Sequence, residues 1–192
     1  MSKILVDEIA PKTTGGVITT SGMSNIIESF THICDGSSIT LLNCTVTLPN
    51  ITAAQQPGNT YADLSSSVIS YTPPAGTSYV HYKHYFNARW NTTHGITHQK
   101  LYIGGAEVVY ARTTFAGQYA EGKNSMEWVF PIGGTADANT GRQSSWASSK
   151  QIKMQVRDYG STNDMDYHIT QYWDGTGTGT FSMPLLSITA YR

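Results

Sequence analysis

The sequence predicts an all-β protein, an antiparallel two-sheet sandwich or jelly roll with a short N-terminal strand extension. Three observations predict it. Residues 78–90 alternate cleanly between two sets of side chains. Further short alternating segments follow down to the C-terminus, separated by loops rich in Gly, Asn, Asp and Thr. No segment carries a helical period. Strands at such spacing without intervening helices pack as two antiparallel sheets.

The first segment, residues 1–22, reads as docking or oligomerisation strands. Ile4, Leu5, Val6 and Ile9 form a short apolar strand stopped by Pro11, and Val17-Ile18-Thr19-Thr20 forms a second, bounded by Gly15-Gly16 and Gly22. Neither strand can bury its side chains alone. It either joins the sheet of the domain that follows or contacts another chain. The contact is the favoured reading, because Pro11 and Gly15-Gly16 detach it from the rest.

Residues 23–192 read as the sandwich. In its first part, Ile33, Ile39-Thr40-Leu41 and Thr45-Val46-Thr47-Leu48 read as strands. If Asp35-Gly36-Ser37-Ser38 turns a hairpin, the register leaves Cys34 and Cys44 unopposed, which argues for free thiols. Pro49 and the stretch Ala53 to Asn59 end this region in a loop.

From Leu64 the pattern is regular. Val68 to Thr72 is a strand closed by Pro73-Pro74-Ala75-Gly76. In the next strand Val80, Tyr82, His84, Phe86, Ala88 and Trp90 share one face, and His81, Lys83, Tyr85, Asn87 and Arg89 share the other. Successive strand side chains point to opposite faces, so the first set meets a core and the second meets solvent or a partner. Tyr85 and Arg89 are therefore candidate ligand or partner contacts.

Leu101-Tyr102-Ile103 and Val108-Val109-Tyr110 flank a hairpin-like turn at Gly104-Gly105. Met126, Trp128 and Phe130 alternate, as do Ile152, Met154 and Val156. Tyr167, Ile169 and Gln171 read as one strand leading to Trp173. The last strand sets Leu186, Ile188 and Ala190 inward and runs to Arg192.

Composition narrows the function. Of 192 residues 13% are charged, and the net charge is −1. An average soluble domain carries roughly 25%. Such a surface suits a protein held against other subunits, and equally a stable extracellular sandwich. Lys and Arg are scattered singly, so no basic stripe awaits nucleic acid. No signal peptide and no apolar run of membrane-spanning length is read, which places synthesis in a cytosol without ordinary export.

A search for chemistry finds no catalytic, cofactor or metal constellation. The strand spacing of His81 and His84 sends them to opposite faces, and His94 and His98, read as a loop, lack a third ligand. Asp158, Asp164, Asp166 and Asp174 stand at strand ends, where turns use Asp. The glycine-rich stretches at 133–136 and 175–179 lack the Lys and helix of a phosphate loop. The positive signal is aromatic: twelve tyrosines and four tryptophans, residue types favoured at interfaces. Trp146, in a polar loop, either plugs the end of the sandwich or contacts a ligand or partner.

Two stretches carry a resemblance. The opening Ser2-Lys3-Ile4-Leu5-Val6-Asp7-Glu8-Ile9-Ala10-Pro11-Lys12-Thr13 resembles the N-termini of virion structural and fibre-like proteins of marine tailed phages, including cyanophages. Ile69-Ser70-Tyr71-Thr72-Pro73-Pro74-Ala75-Gly76-Thr77-Ser78, with Trp128-Val129-Phe130-Pro131-Ile132-Gly133, Tyr172-Trp173-Asp174-Gly175 and Phe181-Ser182-Met183-Pro184-Leu185-Leu186, looks like a C-terminal domain recurring in them. The resemblance implies a virion component assembled in a bacterial cytoplasm, commonly a homotrimer of jelly-roll domains. The long repetitive shaft of many fibres is missing, which leaves a capsid decoration or cement protein, or a short spike. The expected partners are further copies of the chain and the major capsid or tail proteins. The alternative is a short tail fibre or receptor-binding knob that meets host surface glycan. A carbohydrate-active enzyme stands third.

Overall fold

The computed structural model describes residues 25–90, 95–117, 121–160, 164–171 and 179–192. The first three strands are β1 (Ile26–Ile33), β2 (Ser38–Thr40) and β3 (Thr45–Thr47). After them come β4 (Ala62–Asp63), a single 3₁₀ turn at Ser65–Ser67, and β5 (Ile69–Tyr71). Four long strands form the body: β6 (Tyr79–Trp90), β7 (Gly95–Ile103), β8 (Ala106–Gly117) and β9 (Glu121–Pro131). The chain finishes with β10 (Lys150–Asp158), β11 (Met165–Tyr167), β12 (Ile169–Gln171), β13 (Gly179–Phe181) and β14 (Leu185–Tyr191).

These strands make the expected antiparallel sandwich. One sheet runs β1-β14-β6-β11, with β9 along the other side of β6; the second runs β4-β10-β7-β8, with β5 also on β10. Two small ribbons, β2–β3 and β12–β13, stand beside them. The alternation of β6 is realised in full: Val80, Tyr82, His84, Phe86, Ala88 and Trp90 are all buried. They meet Leu101 and Ile103 of β7 and Ile152, Met154 and Val156 of β10 in one core. Burial of a Val, Leu, Ile, Phe or Met side chain is worth about 1.5–3 kcal/mol, so this row specifies which face turns inward.

A serine turn joins the sheets. Ser67 Oγ donates to the Leu64 carbonyl at 2.6 Å and accepts the Met154 amide at 2.8 Å, while the Tyr82 hydroxyl donates to the Ser67 carbonyl at 2.9 Å. The hydroxyl and both backbone groups of Ser67 are bonded, which allows Ser67 to be fully buried. The β7–β8 hairpin turns through Gly104 and Gly105 with φ of 56° and 85°. Two successive positive φ values mark the turn whose twist suits a hairpin.

Several expectations change. Asp35–Ser38 does not turn a hairpin: β1 pairs with β14, and β2 pairs with β3 across residues 41–44. Cys34 and Cys44 are free, as expected. His98 lies within β7, not in a loop. The strand read through Tyr167 and Gln171 breaks at His168, where φ reaches 63°, and β12 pairs with β13 instead of continuing the sheet. Ile4, Leu5, Val6, Ile9, His94, Trp173 and Asp174 lie outside the described residues.

Candidate assembly surface

The outward face of the β1-β14-β6-β9 sheet holds the candidate contacts. Register places Ile33 of β1 opposite Leu185 of β14, and Leu185 opposite Tyr85 of β6. Directly paired residues share a face, so these three form an apolar row across adjacent strands. Ile33 is 40% exposed, Leu185 36% and nearby Met183 38%. Tyr85, Asn87, Lys123, Ser182, Met183 and Leu185 line a groove of about 540 Å³ at its end.

Below the row the face is built of hydroxyls. Thr31 donates to Ser187 at 2.8 Å, and Ser29 and Thr189 share a hydrogen bond of 2.8 Å. Beside the hydroxyls a charged knot gathers on Glu127. It accepts the Tyr85 hydroxyl at 3.1 Å and lies 3.4 Å from Lys83 Nζ and 3.6 Å from His81 Nε2. Against a desolvation that raises it, Tyr85 and Lys83 hold this carboxyl below its usual value. Exposed pairs of this kind contribute little stability; here they cancel charge on the face.

Arg89 is already engaged. Its guanidinium lies 3.7 Å from Asp166 Oδ2, and both side chains are largely covered. Burial raises the Asp166 carboxyl, and Arg89 opposes that shift. The structure therefore separates the two outward candidates: Tyr85 edges the groove, while Arg89 is held in an ion pair beside β11.

Of the two readings of Trp146, the structure takes the plug. It is only 5% exposed, its indole N–H donates to the Tyr71 carbonyl at 3.1 Å, and its ring stands edge-on to Tyr71 and Phe130. It is the plug of the sandwich end. Its outer edge helps to floor a groove of about 390 Å³ between Pro73–Thr77 and Ser144–Ala147.

The acidic residues also depart from the turn reading. Asp158 closes β10 and is fully buried, and the Met165 backbone amide opposes the shift that burial imposes on its carboxyl. Burial raises its carboxyl to about 7, and Asp164 and Asp166 add to the shift. Among the described residues no group of three or more His, Cys, Asp or Glu side chains could hold a metal ion. No helix among them is long and apolar enough to cross a membrane.

The fold and this face define a class, an antiparallel β-sandwich with an uncovered apolar row on one sheet. No family model and no curated protein matches the chain. Among solved structures it is similar to a chain of infectious bursal disease virus, Gt strain, at 12% identity and a TM-score of 0.41, over 98% of this chain and 36% of that one. A Gx-strain chain of the same virus gives 9% identity and a TM-score of 0.40, over 98% and 42%. The chain thus spans well under half the length of either, and neither likeness at that distance bears on function.

Proposed function

We propose that this chain is a non-enzymatic virion structural protein of a tailed phage, a trimeric capsid decoration or cement protein. The observation that carries the reading is the row of exposed Ile33 and Leu185 beside half-buried Tyr85, continued by exposed Met183, on one sheet face. A contiguous apolar patch on an otherwise hydroxyl-rich surface is what subunit contacts use. The resemblance of residues 2–13 and 69–186 to phage virion proteins supplies the setting. In this reading the row is covered by a second copy, and Ile4, Leu5, Val6 and Ile9 supply the strand that docks on the capsid or between subunits.

The test uses the full chain. Sedimentation should give three chains per particle for the wild type and a monomer for Leu185→Lys, with matching far-ultraviolet spectra. Deleting residues 2–12 should leave a folded domain that no longer enters phage particles. A wild-type monomer, or normal incorporation after the deletion, sinks the reading. The alternative, a receptor-binding knob, draws on the Trp146-floored groove, whose Asn43, Ser144 and Ser145 offer a neutral polar wall to a glycan. Copy number separates the two: hundreds per particle for decoration, a few dozen at most for a tail protein.

A further inference from the structure

The outward residues of the β4-β10-β7-β8 sheet lie far apart in sequence and are gathered by register. Between β10 and β7, Arg157 stands opposite His98, Gln155 opposite Lys100 and Lys153 opposite Tyr102. On the flanks, β4 sets Asp63 opposite Gln155, and β8 sets Glu107 opposite Tyr102. Directly paired residues share a face, and the alternate residues Leu101, Ile103, Ile152, Met154 and Val156 are buried in the core. The polar set therefore looks outward, on the side of the sandwich away from Leu185 and Tyr85.

The charges on this face do not cancel. Lys153 Nζ lies 2.8 Å from Asp63 Oδ2, and Gln155 Nε2 donates to Asp63 Oδ1 at 2.9 Å. Glu107 is shared by two cations: Lys100 Nζ lies 3.1 Å from one oxygen, and Arg112 Nε donates to the other. Arg157 has no ion pair among the described residues, and its Nε has no hydrogen-bond partner there. Four cations thus face two carboxylates, on a chain whose net charge is −1.

An aromatic ring holds the unpaired cation in place. Lys100 Nζ lies 4.4 Å and Arg157 Cζ 5.3 Å from the ring centre of Tyr61, which sets two long side chains side by side. Tyr61 itself is 36% exposed. Tyr159, 62% exposed, meets His98 edge-on at 6.0 Å.

A guanidinium fork takes a carboxylate in two parallel hydrogen bonds. Tyrosine adds an apolar ring with a hydroxyl at its tip. The combination suits a chain of acidic sugars, whose rings have apolar faces and whose carboxylates are spaced one to a ring. Duplex nucleic acid fits less well. It carries one charge per ~1.7 Å of axis, and Asp63 and Glu107 would stand against those phosphates.

We infer that the outward face of β10, β7 and β8 binds an acidic polysaccharide, with Arg157 and Lys100 on a sugar carboxylate and Tyr61 and Tyr159 against the rings. This face lies opposite the apolar row, so its ligand is independent of the assembly reading.

Isothermal titration of the full chain with a short oligogalacturonate tests it. Arg157→Gln should weaken binding by about tenfold or more, the loss expected for a hydrogen-bonded charge. Glu107→Gln, which frees two cations, should tighten it. Arg192→Gln removes the same charge from the end of β14, on the other sheet, and should bind as the wild type does. A neutral maltooligosaccharide should not bind. No binding of oligogalacturonate, equal binding of the neutral sugar, an equal loss in Arg192→Gln, or tighter binding of duplex DNA overturns the proposal. So does a change in sedimentation for Arg157→Gln, which would make this face a contact between copies. If Arg157→Gln does not fold, the backbone amide resonances of the wild type decide. Those of His98, Lys100 and Arg157 should move on adding oligogalacturonate, and those of Ser29 and Ser187 should stay. Shifts confined to Tyr85 and Leu185 overturn the proposal.

Discussion

Trp146 donates its indole N–H to the carbonyl of Tyr71 at 3.1 Å across a sequence separation of 75 residues. The bond closes one end of the sandwich from inside, and it fixes a large aromatic ring against Tyr71 and Phe130. Trp146→Ala should destabilise the fold by about 3–5 kcal/mol. Trp146→Phe should keep most of the packing and lose the bond, leaving the Tyr71 carbonyl unsatisfied at about 1–3 kcal/mol. Urea titration of both variants measures the difference.

Gly105 offers a smaller effect with a different cause. Its φ of 85° lies where a Cβ is disfavoured, although open space surrounds the position. Gly105→Ala should therefore cost about 1–2 kcal/mol through backbone strain alone. Gly104→Asn, at φ 56°, should cost less, since Asn visits that region readily. Thermal unfolding of the two variants should rank them in that order.

Gly95 is constrained by space. A Cβ there would fall 1.5 Å from Trp90 Cδ1 and 2.3 Å from Met165 Sδ. Gly95→Ala must push a buried tryptophan and a buried methionine aside, at about 1–3 kcal/mol or more. Tryptophan fluorescence should shift in the same variant; an unchanged spectrum and an unchanged midpoint would contradict the packing.

Asp158 makes stability depend on pH. The folded chain holds its proton up to about 7, whereas the carboxyl ordinarily releases it at 3.8. A raised value means that the contribution is complete below about pH 4 and is lost as pH climbs toward 7. Asp158→Asn should remove that slope and be more stable than wild type at pH 8, by about 1–3 kcal/mol. What remains in the variant is the opposite slope, stability lost as pH falls below 6.5, because His84 and His168 resist protonation in the fold. Denaturant midpoints at pH 4, 6 and 8 test both signs.

The core faces were legible in the sequence because burial leaves a two-residue period wherever only one face of a strand is covered. That period assigned His84 to the core side of β6. It would have assigned Asp158 as well, since Ile152, Met154, Val156 and Asp158 continue one alternation; the habit of reading strand-end Asp as a turn residue hid it. The apolar row was not legible. Ile33, Leu185 and Tyr85 are neighbours only through register, and no local pattern encodes which distant strand will lie alongside. The break at His168 was invisible for a related reason: tertiary bonds to Asn87 and Ser182 impose a conformation that its own propensity disfavours.

The pairing of β1 with β14 has a kinetic side. Ser29 meets Thr189 across 160 residues of chain, and β14 in turn lies between β1 and β6. During synthesis β1 has no partner in that sheet until β14, 160 residues later at the Ser29–Thr189 pair, has left the ribosome. Contacts so distant in sequence slow folding. Closure of this sheet is thus a late event, and until then β1 is an unpaired edge that other nascent chains can meet.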